Sequence, residues 1–352
     1  MEFKEYLAAQ LTAHPSAKPQ DVVKMCYQAA CGAEHLLSDL TGAQRYFREE
    51  FASVDAKDIP LEEPISNNVS RVNLAAWKAA GLPPEWLFRL FAASTSSVRI
   101  PDRKTELSRL LAEADSAIPR LPRGFTADEW TSFLQKYREA GMPALHHSSA
   151  YRTAEAPAYR IVNRRLLRIL PILLKIQSCG IPEKRPLIIA IDGRAASGKS
   201  TAADILHEVT GAAVIRMDDF FLPPPMRTPE RFAAPGGNVH HERFAEEVLP
   251  RLAQSAPFAY RIFDCSIMAL HGERQVDSAP IRVVEGSYST HPALGRYADI
   301  TVFSDIEPSE QMDRIRLRNG ETLAHRFQNE WIPMEESYFD TYSIREKADI
   351  SL

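Results

Sequence analysis

Through most of the first half of the chain, apolar residues recur at helical spacing. In the run 21–40, Val22, Val23, Cys26, Ala29 and Ala30 fall on one face of a 3.6-residue repeat, with Asp21 placed to cap its start. Thr126 opens a T-A-D-E box with Glu129 three positions on, which predicts another helix start. Further helical runs are read at 42–51, 73–80, 84–93, 104–117, 126–139 and 159–177, separated by Pro and Gly. No segment alternates with period two, so residues 1–183 are expected to form an all-helical domain.

The pattern changes after Arg185-Pro186. Leu187 to Ile191 is a short, continuous, β-branched apolar run ending at Asp192-Gly193, as expected of a strand covered on both faces of a parallel sheet. Similar runs at 213–217, 281–284 and 300–303 alternate with helical patterns at 200–209, 242–252 and 309–318. Strands alternating with helices predict an α/β domain over residues 184–352, a parallel sheet flanked by helices.

Composition narrows the picture. With 352 residues, 45% hydrophobic and 25% charged, the chain is long enough for two cored domains and is neither low-complexity nor disordered. The net charge of -4 divides into +2 for residues 1–183 and -6 for the remainder. This balance, with a pI near 6.2, gives no reason to expect a nucleic-acid partner. The four cysteines, Cys26, Cys31, Cys179 and Cys265, form no CxxC pair and no disulfide framework. The N-terminus carries charges where a signal peptide needs an apolar core, and the longest apolar stretch, Leu166–Ile176, is broken by Arg168, Pro171 and Lys175. A soluble, cytoplasmic protein with no membrane partner is therefore expected, and a homo-oligomer is left open.

Directly after the first of these strands stands Gly193-Arg194-Ala195-Ala196-Ser197-Gly198-Lys199-Ser200, which matches GxxxxGK[ST] at every fixed position. The glycines let the loop turn its N–H groups toward one point, and the helix that follows adds the positive end of its dipole. The loop from Gly193 through Ala195, Ala196, Ser197, Gly198, Lys199, Ser200 and Thr201 is expected to hold the phosphates of ATP, with Lys199 on the β- and γ-phosphates and Ser200 on Mg²⁺.

Whether the γ-phosphate goes to water or to an acceptor depends on groups downstream. Asp218 and Asp219 close the second strand and would face the same crevice, one as base for an acceptor hydroxyl, another holding Mg²⁺ through water. Glu285 ends the third strand in the position of a second, metal-side acid. Arg314, Arg316 and Arg318 punctuate a helix, with Arg314 and Arg318 sharing a face, and are read as a lid over the transferring phosphoryl group. A helix cap for the aspartates and a solvated basic face for the arginines are the competing readings.

With these residues in view, the second half resembles the uridine kinase, phosphoribulokinase and pantothenate kinase group of P-loop kinases. GRAASGKS is similar to that group's phosphate loop, DDFF to its DSFY-like segment, VVEGSY to its strand ending in EG, and 314–350 to its lid and closing strand. The resemblance implies a phosphotransferase acting on a small hydroxylated substrate, with Asp218 as general base, Ser200 and Glu285 on the magnesium side, and Arg316 or Arg318 as the lid arginine. Around the expected substrate strand the chain departs from the uridine kinases. Asp219, His241, Tyr260, Arg261 and Asp264 are the candidates for substrate contacts. A nucleotide-hydrolysing or nucleotide-sensing protein controlling the helical domain is the alternative.

In the first half two polar clusters stand out, Cys31-Gly32-Ala33-Glu34-His35 and His146-His147-Ser148-Ser149-Ala150-Tyr151-Arg152, with Tyr159-Arg160 after it. Their spacings match no metal motif, which leaves a ligand site or inter-helix hydrogen bonding. The Arg-rich run Arg160–Lys175 reads as a connector helix with a basic face.

Overall fold

A computed structural model describes residues 2–33, 39–96 and 103–352, so Glu34 and His35 of the first polar cluster lie outside the described residues. The chain divides into two compact units, Met1–Leu167 and Arg168–Leu352. The division falls earlier than the sequence suggests. The helix Leu170–Cys179 packs on a strand of the second unit, so the Pro-containing stretch before Leu187 leads into the sheet and does not separate domains. Among the described residues no helix is long and apolar enough to cross a membrane.

The first unit is mostly helical. Its helices include Phe3–Ala13, Pro19–Cys31, Leu40–Ser53, Pro84–Ser96, Arg103–Ala117 and Ala127–Glu139. The capping box forms as expected, the Thr126 hydroxyl accepting from the Glu129 amide at 3.1 Å and the Glu129 carboxylate from the Thr126 amide at 2.6 Å. Asp21 is not the N-cap of its helix. Pro19 starts that helix, and Asp21, one turn in, reaches back to accept from the Lys18 amide at 2.9 Å.

The unit is not all-helical. β1 (Glu62–Pro64), β2 (Val69–Asn73) and β3 (Tyr159–Asn163) form an antiparallel sheet in the order β1-β2-β3. Neither β2 nor β3 shows period two, because four consecutive residues of β2 are buried and the half-covered β3 carries Tyr159 and Arg160 at its start. The expected helix over 159–177 is therefore a strand, the short helix Arg164–Leu167, and Leu170–Cys179.

The second unit has the expected architecture. β4 (Leu187–Gly193), β5 (Ala213–Arg216), β8 (Ile281–Glu285), β9 (Ile300–Ser304) and β10 (Ile350–Ser351) form a parallel sheet ordered β10-β9-β4-β8-β5, with β6 (Phe258–Asp264) and β7 (Ala269–Val276) as a separate antiparallel hairpin. β4 is buried throughout and central, which explains its unbroken apolar run. Register sets Ile191 beside Glu285, Arg216 beside Glu285, and Gly193 beside Ser304. The carboxyl ends of β4, β5 and β8 thus bring their polar residues to one edge of the sheet. On one face, Ile215, Phe244, Tyr260, Phe303 and Tyr338 belong to a single buried cluster that fixes those ends.

Candidate active site

The loop after β4 closes on the helix Lys199–Thr210, whose first turn carries Ser200 and Thr201. Gly193 and Gly198 hold φ of 131° and 98°, and Ala196 sits at 58°, backbone states that curl the amides inward. A Cβ at Gly193 would be driven into the Ser304 backbone of the neighbouring strand, so no side chain fits there. Lys199 is buried, its Nζ donating to the carbonyls of Gly193 at 2.7 Å and Arg194 at 2.8 Å. Ser197 Oγ is buried without a partner among the described residues. The Ser200 hydroxyl donates to Glu285 Oε2 at 3.0 Å.

Glu285 is 2% exposed at the end of β8 and also accepts from Arg216 at 2.7 Å, while Arg216 pairs with Asp204. Burial pushes the Glu285 pKa up, against the pull of Arg216. The two adjacent aspartates have opposite fates. Asp219 is buried, held by Arg274 at 2.7 Å and by the Tyr260 hydroxyl at 2.9 Å. Asp218 accepts no hydrogen bond from the described residues and is exposed. Desolvation by the surrounding protein raises its pKa, an effect that Lys199, Arg318 and Arg216 oppose and Asp219 reinforces.

The arginines expected to form a lid also separate. On the helix Pro308–Arg326, broken at Gly320 by φ of 77°, Arg316 is drawn to Asp313 at 3.3 Å and Glu321 at 3.6 Å. Arg318 lies within electrostatic reach of Asp218, and Arg314 donates to the loop carbonyl of Ala196 at 3.2 Å. Several expected substrate contacts are engaged elsewhere. The Tyr260 hydroxyl is occupied by Asp219 and the Arg216 amide; Arg261 pairs on the surface with Glu247; Asp264 closes the hairpin turn onto Ser266. His241 stacks on His291 with ring centroids 4.8 Å apart. The Tyr260, Arg261 and Asp264 side chains serve the hairpin and its supports, and none of the four is hydrogen-bonded to Asp218 among the described residues.

Three residues that sequence reasoning missed complete the site. Asp192 accepts from the amides of Gly193, Tyr288 and Thr290 and from the hydroxyls of Thr290 and Tyr338, locking the loop after β8 against the phosphate loop. Arg168 donates to the Ser197 carbonyl and to Ser304 Oγ, bracing the loop from outside. Glu335, buried on the helix Ile332–Tyr342, accepts from the Ala195 amide at 2.9 Å and the Ser287 hydroxyl at 2.7 Å. Burial raises its pKa, with Lys199 pulling the other way. No local motif marks Glu335, which is 140 residues from the amide it meets.

The buried carboxylate of Glu335 occupies the Ala195 amide, one of the loop donors expected to face a phosphate. Glu335→Gln is expected to tighten ATP binding about tenfold, by removing a like charge from a poorly solvated site. Titration with a fluorescent ATP analogue reads the change, and equal or weaker binding would show that the carboxylate does not oppose the nucleotide.

Sheet order, the glycine loop between β4 and its helix, and the acid at the end of β8 define the second unit as a P-loop nucleotide-binding fold. No family model matches the sequence. Among solved structures, a chain provisionally assigned as a uridine kinase from Bacillus stearothermophilus is 19% identical, covering 54% of this chain and 97% of its own length with a TM-score of 0.41. A chain provisionally assigned as a fructose transport system kinase from Silicibacter sp. TM1040 is 17% identical, covering 53% and 98%, with a TM-score of 0.43. Likeness at this level says nothing of substrate.

Proposed function

We propose that the second unit is an ATP- and Mg²⁺-dependent phosphotransferase that moves the γ-phosphate to a hydroxyl of a small metabolite. The observation that carries this reading is the unpartnered carboxylate of Asp218, beside Lys199 and Arg318, where the neighbouring acids Asp219 and Glu285 are already engaged. A hydrolase needs only a positioned water, whereas an open, unengaged base suits an acceptor hydroxyl.

The residues present fit a magnesium nucleotide. The loop is a backbone cradle with the buried, unpartnered Ser197 hydroxyl in it, and the Ser200 and Glu285 side chains form an oxygen-only donor pair suited to a hard cation. Bound there, Mg²⁺ would neutralise charge on the β- and γ-phosphates. Asp218 takes the proton of the acceptor hydroxyl as its oxygen bonds to the γ-phosphorus, and the bond from phosphorus to the bridging oxygen breaks to leave ADP. Lys199, freed from its two carbonyls, faces the phosphate oxygens, and Arg318 meets the charge that builds on the transferring group.

A coupled ADP-release screen over nucleosides, sugars, pantothenate-like and glycerate-like acceptors tests the reading. One class of acceptor is expected to raise turnover well above the rate with water alone. Turnover unchanged by every acceptor would instead favour a nucleotide hydrolase.

A further inference from the structure

The first unit holds a second group of charged residues, in which a single ion pair, Arg71 with Glu63, is joined by further cations. Arg71, on β2, is 3% exposed, and its nearest acid, Glu63, is a half-exposed carboxylate 3.4 Å away that also takes Gln10 at 2.6 Å. The guanidinium is held by Gln10 and Gln28 at 3.0 Å each and lies over the Tyr159 ring at 4.6 Å, yet its Nε has no partner among the described residues. The Tyr6 hydroxyl, on a side chain 2% exposed, has none either. Lys24 precedes Gln28 by one helical turn and shares its face. It is half-buried, without a hydrogen-bond or ion-pair partner among the described residues, and within electrostatic reach of Arg71 and Arg152, with Asp21 the one acid that acts on it in the other direction.

The obvious counter-ion is already committed. Asp21 Oδ1 accepts from His147 Nδ1 and the Ser148 amide, each at 2.9 Å, and Oδ2 from the Ser148 hydroxyl at 2.6 Å. His147 Nε2 in turn meets the Tyr159 hydroxyl at 2.6 Å, and Gln28 donates to that oxygen at 2.9 Å. The relay of Asp21, His147 and Tyr159 is thus ordered from end to end and fixes the phenol beside the cations. Lys24 and Arg152 have no paired acid among the described residues, and gathering cations beside the one Arg71–Glu63 pair is costly unless something of opposite charge fills the place.

We propose that Lys24, Arg71 and Arg152, faced by Tyr6, Gln28 and Tyr159, form a binding site for an oxyanion, the phosphoryl or carboxylate group of a small metabolite. The two unpartnered donors and the free ammonium match the acceptor oxygens such a group brings. The proposal stands independently of the chemistry assigned to the second unit, and it gives the first unit a ligand of its own.

Lysine-by-lysine acetylation of the full chain, read by peptide mass spectrometry, tests it at the site itself. Burial and the charge of Arg71 bring the Lys24 pKa down to about 8, so near that pH roughly half of its amine is neutral and reactive. An oxyanion in contact would raise that pKa by about one unit and slow acetylation about fivefold, while exposed Lys4 and Lys57 keep their rates. Inorganic phosphate and malonate, each against sodium chloride of equal ionic strength, are the probes. Protection by phosphate assigns a phosphoryl group, and protection by malonate alone assigns a carboxylate. Arg152→Gln, a change at an exposed side chain, and Tyr6→Phe are each expected to weaken protection without unfolding the chain. A Lys24 rate that neither probe changes, or that falls equally at Lys4 and Lys57, overturns the proposal.

Discussion

Asp218→Asn is expected to lower the phosphoryl-transfer rate by about 10²- to 10⁴-fold, the range that a positioned base supplies. ATP affinity should stay close to that of the unchanged protein, because Asp218 makes no hydrogen bond within the loop. The pH profile gives an independent signature. Asp218 acts only when ionised, and its pKa is raised in the folded protein. Transfer should therefore fall on the acid side at a pH above the ordinary carboxylate range, and the Asn variant should lose that limb. Measuring kcat against pH for both proteins, with ATP binding measured alongside, checks the assignment. An Asn variant that transfers at the original rate would remove Asp218 as the base.

The second large effect is expected at Lys199. Lys199→Met should reduce transfer about 10²- to 10³-fold, as does removal of one preorganised donor to the developing charge, and should also weaken ATP binding. The two substitutions are distinguishable, since one spares nucleotide affinity and the other lowers it. Part of the Lys199 effect acts through the loop. Nζ ties the Gly193 and Arg194 carbonyls in the structure, and its loss leaves two acceptors without that donor. Loop integrity is checked by comparing thermal unfolding of the Met and Arg variants. If Lys199→Arg retained binding and transfer, positive charge alone would account for the role, and the fit of an ammonium between two carbonyls would not matter.

Much of the second unit was legible because its signals are local. A strand buried on both faces reads as an apolar run, and a phosphate loop must place its glycines where backbone amides turn inward. The class of fold and the inward turn of the glycine loop follow from a few consecutive positions. The adjacent pair Asp218 and Asp219 marks where that legibility ends. Both carry the same charge at the same strand end, but Asp219 is bonded by Arg274 and Tyr260 from the distant hairpin, and Asp218 accepts no hydrogen bond among the described residues. Arg316 and Arg318 divide for the same reason, since Asp313 and Glu321 claim only the first.

In the first unit the strands escaped because β2 is covered on both sides and carries an arginine within its buried run. The polar clusters were visible in the sequence, but not that His147 would lie between Asp21 and Tyr159, each brought from another element. By itself, then, the sequence determined two units, a helix-rich first half and a P-loop sheet with its glycine loop, because periodicity and turn chemistry depend on neighbours along the chain. Only the tertiary structure decided which carboxylate stays free, that Glu335 caps the Ala195 amide, and that half-buried Lys24 comes within electrostatic reach of buried Arg71. Those outcomes depend on partners tens of residues away, which solvate or neutralise a side chain only once the chain has folded.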